Sequence, residues 1–303
     1  MATPGEVPFA IDGQTLSSVK DATSGVAGPL GLETVLVVVG VAVVAVGILG
    51  VLSYLYAARD RVEDEIEEVA AEREAFLAFA DRVEGMPASG GTTAMATPQT
   101  IHTFDNPGPP VRDVAAAFEE TVMDLQHYTD TYGDDVIAQM SMEFDPDLVA
   151  SLNGEGALSP TAKHSLKQAA RDAAAKRENL LVILEREREQ LARDESSLSD
   201  IVGELQGMCD QPLDAQSFST LASRHERLGT LREEVAEIGA HRQDQIHETV
   251  RSLPAVDDEI TLQEYLYRDI GGGSYPVLGS VARLDRIIGE ARSRVRLALS
   301  STA

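Results

Sequence analysis

In the stretch "HRQDQIHETV", His241, Asp244 and Glu248 recur at i, i+3 and i+7, with His247 beside them. On a helix that spacing gathers an imidazole and two carboxylates on one face, a set able to chelate zinc or a harder divalent ion. Acidic helices produce such trios by composition alone, and no downstream His adds a further ligand. The trio is a weak metal candidate, and no metal is expected. His225 in "SRHERLGTL" sits in a setting like the phosphorylated helix of a sensor histidine kinase, yet no α/β segment supplies the nucleotide-binding domain such a kinase needs. Gly271-Gly272-Gly273 has neither the preceding strand nor the following Lys-Ser/Thr of a phosphate loop and reads as a turn. Cys209 is the only cysteine, which excludes an intramolecular disulfide and a cysteine zinc site; it reads as a small half-buried residue at a helix end. No catalytic residue, cofactor or enzymatic activity is expected.

Five of the seven tyrosines, Tyr128, Tyr132, Tyr265, Tyr267 and Tyr275, flank two junctions in the chain. An aromatic body with a polar tip packs such junctions and keeps its hydroxyl near water. The same five are the candidate surface for docking an unknown protein partner.

Those residues must be positioned by helices. Apolar positions alternate by three and four from Leu166 through Leu184, Leu191, Leu198 and Leu205, and again from Leu221 through Leu228, Leu231, Val235 and Ile238. Arg177, Glu187 and Asp194 fall on the first seam and read as solvent-facing positions beyond the reach of a partner helix. Ser159-Pro160 is a helix start, with proline where its missing N–H costs nothing, and Ser217 caps the next helix. The short break "CDQPLDAQS" makes 160–208 and 217–253 an antiparallel hairpin. Val111 to Leu125 gives one apolar face, short helices follow over 134–142 and from Asp145-Pro146, and Thr261 opens another. A last helix carries Val277, Val281, Leu284, Ile288, Ala291 and Val295, with Arg292, Arg294 and Arg296 in its final turns, where the helix dipole favours cations.

From Thr34 to Ala58 no residue is charged. A bilayer core needs about 20 apolar residues at 1.5 Å each, so this run predicts a single transmembrane helix with Tyr54 and Tyr56 at the headgroups. Arg59 and Arg61 follow it, while Lys20 alone precedes it, which places the bulk in the cytoplasm and the N-terminus outside. The expected organisation is a disordered outer tail (1–33), the span (34–58), a juxtamembrane coiled coil (59–85), a Pro/Gly/Thr-rich flexible linker (86–110) and a cytoplasmic helical bundle (111–303). The seam Val62, Ile66, Val69, Arg73, Phe76, Ala80 and Val83, interrupted by Arg73 and softened by Ala80, continues the phase of the span, making one rod that ends near Gly85. Gly40 and Gly47, one heptad apart, suit close approach of a second copy, so a homodimer through the span and 59–85 is a further expectation.

The chain has 303 residues, 25 basic against 50 acidic, and a net charge of −25, with arginine far outnumbering its four lysines. Such a surface stays hydrated in multimolar salt and points to a salt-loving archaeon. It offers phosphates no basic patch or aromatic platform, so nucleic acid is not an expected partner. The segments "VRDVAAAFEETVMDLQHYTDTYGDDV", "LSPTAKHSLKQAARDAA" and "LQEYLYRDIGGGSYPVL" together resemble an uncharacterised haloarchaeal family of proteins with one N-terminal span and a long helical cytoplasmic part. That resemblance implies the architecture and an archaeal source; the family brings no activity. The fold class is therefore all-α. The expected function is a non-enzymatic, membrane-anchored interaction scaffold at the inner face of the cell membrane. A transmembrane signal relay is the alternative reading, and an externally displayed pilin-like subunit is a third.

Overall fold

The computed structural model describes residues 32–88, 111–125, 135–152, 158–209, 211–252, 261–271 and 273–302. Every element among them is a helix: α1 (Leu32–Gly85), α2 (Val111–Glu119), α3 (Val136–Glu143), α4 (Pro146–Leu152), α5 (Pro160–Cys209), α6 (Phe218–Ser252), α7 (Leu262–Tyr267) and α8 (Pro276–Thr302). The expected tail and most of the expected linker lie outside the described residues.

Local chemistry sets most of the starts. Asp135 accepts from the amides of Ile137 and Ala138, both at 3.1 Å, and Asp145 accepts from Asp147 and Leu148 ahead of α4. Ser159 accepts from Ala162 at 3.1 Å and Ser217 from Thr220 at 3.3 Å, as their positions predict. Thr261 and Glu264 form a reciprocal capping box at α7. Between α7 and α8 the backbone takes φ of +69° at Gly271 and +106° at Gly273, conformations that any side chain would strain.

The chain divides into two compact units. One takes its described residues from Met1–Val51, Val202–Arg232 and Arg283–Ala303. In it α6 lies against α5 through Arg227 and Glu204 (2.6 Å), and against α8 through Arg232 and Asp285 (2.6 Å). There α8 also lies on α1. A Cβ added at Gly47 would meet Ile287 at 2.9 Å, and one at Gly50 would meet the Arg283 guanidinium at 2.5 Å. Gly47 thus admits α8 of the same chain.

The other unit, Leu52–Ile201 with Glu233–Ala282, holds a large cluster of buried side chains. Phe76 and Phe79 of α1, Phe118 of α2 and Phe144 after α3 meet with ring centroids 5.2–6.3 Å apart, mostly edge to face. Val83, Val114, Met140, Val149, Leu166 and Ala170 close around them. Arg177 of α5 lies over Phe76, 4.6 Å from ring centre to guanidinium carbon, and pairs with Glu72 and Glu143 at 2.9 and 2.6 Å. The juxtamembrane segment is therefore part of this core, whereas the sequence reading had it as a separate coil. Val62, Val69, Phe76, Ala80 and Val83 are buried within the chain.

Three further expectations shift. Helix α2 ends at Glu119, short of Leu125, where the Phe118 carbonyl takes the amides of Thr121, Val122 and Met123 together in place of the regular one-to-one ladder. Helix α8 runs on to Thr302, so its arginines stand more than a turn before its end. Among the described residues no helix is long and apolar enough to cross a membrane. The run 34–58 is helical throughout, but the side chains of 32–46 lie outside the described residues. Beyond them Ile48, Val51, Leu55 and Ala58 are buried in the protein on one face.

Candidate functional site

The hairpin seam of α5 and α6 carries charge in its interior. Glu187 and Asp194 stand one heptad apart on α5, at 2% and 6% exposure, and Arg242 of α6 is 2% exposed between them. Arg242 donates through Nη2 to Glu187, and its Nη1 lies 4.0 Å from Asp194. Tyr267 of α7, fully buried, donates to the same Glu187 oxygen at 2.6 Å. The three helices are thus joined by one acceptor. Glu187 and Asp194 are not the solvent-facing positions that the sequence suggested. They keep the seam's phase because a partner of opposite sign meets them from α6, and an unpaired charge there would cost several kcal/mol.

Burial works against the charge of Arg242, but Glu187 outweighs it and holds the guanidinium above its ordinary range. Burial pushes the Asp194 carboxyl up against the pull of Arg242, and its Oδ2 finds no hydrogen-bond partner among the described residues. The Tyr267 hydroxyl is pushed up by burial and by the Glu187 charge, so it stays protonated and donates.

Helix α7 aims a second tyrosine at a second carboxylate. Tyr265 donates to Glu65 of α1, which also accepts from Arg61 at 2.6 Å, and burial followed by the Glu65 bond raises its pKa. Two residues before Tyr265, Gln263 is 1% exposed with its Oε1 unsatisfied. Between α6, α7 and the start of α8 runs a crevice lined by Arg242, Ile246, Gln263, Tyr275, Pro276 and Val277 and too narrow to admit water. Chemically the arrangement fixes helices: Glu187 and Glu65 each accept from a tyrosine of α7, and Arg242 faces both Glu187 and Asp194.

The predicted site residues separate. Tyr267 belongs to this interior and is absent from any surface, while Tyr265 and Tyr275 stay partly exposed at 52% and 37%. Tyr128 and Tyr132 lie outside the described residues. His241, Asp244 and Glu248 are exposed on α6, with His241 Nε2 taken by Gln245 at 2.8 Å. Among the described residues no three His, Cys, Asp or Glu side chains are placed to hold a metal. Cys209 is half-buried at the end of α5 and in no disulfide. Sequence reasoning missed Glu187, Asp194 and Arg242 as a set. The signal was present, since charges of opposite sign fall in phase on two seams already read as antiparallel neighbours.

No match was found among curated proteins or solved structures. One family model, a domain of unknown function (DUF7260), matches residues 53–292 and takes in the hairpin, α7 and every member of the buried network. The match covers well over half of the chain, and the protein therefore belongs to the DUF7260 family, an uncharacterised one.

Proposed function

We propose that this protein is a non-enzymatic scaffold of a salt-loving archaeon, anchored by the apolar segment of α1 as a single-pass span, with its helical bulk at the cytoplasmic face. One observation carries the reading: α1 is a single uninterrupted helix of 54 residues. Its first part belongs to the uncharged run that begins at Thr34, and its second part is built into the phenylalanine core. A helix with no break between an apolar end and a packed end holds a bundle at a fixed distance from whatever receives the apolar end. Arg59 and Arg61 at the boundary favour the cytoplasmic side for the bundle. The tyrosines Tyr265 and Tyr275 remain the exposed aromatic candidates for a protein partner.

Topology tests the reading. A cysteine at Thr93, in a chain carrying Cys209→Ser, is treated with an impermeant thiol reagent on intact cells. Protection until the membrane is opened is the expected result. Ready labelling of intact cells would put the bundle outside and end the inner-face reading; recovery of the whole chain in the soluble fraction would end anchoring itself.

A further inference from the structure

Three contacts fix how α8 lies along α1, and each falls inside one compact unit. In the first unit a Cβ on Gly47 would meet Ile287 and one on Gly50 would meet Arg283; in the other, a Cβ on Gly279 would stand 3.5 Å from Tyr54. Residue numbers rise along α1 as they fall along α8, so the two helices are antiparallel, with a glycine at each close approach. At 1.5 Å per residue on both helices, that register sets Glu290 level with Val44, Arg294 level with Gly40 and Arg296 level with Val38. The charged length of α8 therefore runs beside the uncharged length of α1.

This pairing suits water. On α8 Leu284, Ile287, Ile288 and Val295 are buried while Arg286, Glu290, Arg294 and Arg296 are exposed, the one-sided pattern of a helix at an aqueous surface. Hydrocarbon offers no water to a guanidinium or a carboxylate, and ionisable side chains facing lipid there are costly. With α8 seated, the run cannot also stand in a bilayer. Yet α8 covers only one side of it. Thr34–Ala58 carries no charge on any face, and Leu49, next to the buried Ile48, is 62% exposed. A helix that spends its life at a protein surface has a polar outer face; one without charge all round belongs in a core or a bilayer. We propose that α8 is a releasable sheath for the membrane anchor: Leu32–Val51 has two exclusive seats, one against Arg283–Thr302 before insertion and one in the bilayer with α8 let go. The inference rests on the anchored reading above and adds the conformational step which that reading requires. Phe76 and Phe79 lie well beyond Tyr54 on α1, and the core they form keeps its packing in both states.

The test uses full-length chains with Cys209→Ser, made in a host that grows in molar salt, and two cysteine pairs introduced separately. One is Gly47→Cys with Ile287→Cys, the other Gly50→Cys with Arg283→Cys. Circular dichroism against the Cys209→Ser parent qualifies each pair, so that one stands in if the other does not fold. A short bis-maleimide is applied to the pool recovered without detergent and to the membranes, which are then divided by alkaline extraction. The expected result is bridged chain in the detergent-free pool and about tenfold less bridging in the alkali-resistant pool. Equal bridging in the alkali-resistant pool overturns the sheath and leaves the anchor standing. Bridged chain with no alkali-resistant pool at all removes the span, and the sheath falls with it. A correctly helical pair that does not bridge in the detergent-free pool, or the absence of that pool, shows that the seated form is not populated and overturns the inference.

Discussion

Arg242 is the residue on which the interior depends, because it answers two buried carboxylates at once. Removing it as Arg242→Met strands Glu187 and Asp194, and the expected loss is about 3–5 kcal/mol in denaturant unfolding. Adding Glu187→Gln and Asp194→Asn to that variant should recover more than half of the loss, since neutral amides cost far less to bury than charges. Asp194 gives a second, pH-dependent expectation. Its folded pKa is raised, so the folded state binds its proton more tightly than the unfolded chain does. The corresponding stability is present at low pH, below the unfolded value near 4, and is lost as pH rises through the folded value. Asp194→Asn should therefore stabilise at neutral pH by on the order of 1 kcal/mol and hardly at all near pH 4, read from denaturation midpoints across that range. A gain that grows as pH falls would contradict the assignment.

At the scale of the element, α7 is only six residues long yet supplies both tyrosine donors, so its start matters more than its length. Thr261→Ala opens the capping box, with an expected cost of about 1 kcal/mol and faster amide exchange at Glu264 and Tyr265, while the α5 amides hold their protection. Caps of this kind were legible in the sequence. Ser159-Pro160, Ser217 and Thr261 each precede a helix that begins where a side-chain oxygen meets an N3 amide, because that chemistry is local. The hairpin was legible too, since its two seams hold phase over many turns. What escaped were contacts between distant parts of the chain. Val62 to Val83 reads as a seam, but nothing in that stretch states whether the seam meets a second copy or the chain's own Phe118 and Phe144. Glu187 was misread because a charged residue at a seam position is ordinarily an exposed one; only Arg242, 55 residues on, reverses that. The short turn after Glu119 was hidden for the opposite reason, as Val122 and Leu125 keep helical spacing while their backbone leaves the helix.

Taken whole, the molecule is held by two kinds of electrostatics that respond to salt in opposite ways. The buried set of Glu187, Arg242 and Tyr267 is out of reach of ions, whereas a surface of net −25 repels itself at low ionic strength. Exposed pairs such as Arg232–Asp285 and Arg227–Glu204 contribute little each and weaken as salt rises. Self-repulsion across 50 acids is the larger effect. The thermal midpoint should therefore climb from dilute to molar potassium chloride, with each kcal/mol gained moving it by about 2 °C. A midpoint that fell with salt would mean that the surface pairs outweigh the repulsion.

The far end of α1 is fastened with unusual care. Lys163 donates to the carbonyls of Glu84 and Met86, both at 2.6 Å, and Lys167 and Arg171 reach the Glu84 carboxylate. Two of the chain's four lysines serve this one helix terminus, next to the phenylalanine core. Covalent continuity between Gly85 and Val111 is then dispensable for cohesion. If an engineered protease site between Thr92 and Thr100 is cut after folding, the two pieces should travel together through a sizing column in molar salt and part only in denaturant. Expressed as separate genes they should find one another, and Phe79→Ala should abolish that reassembly. The protein would then behave as a natural split system, in which α1 is a removable key and the remainder its lock.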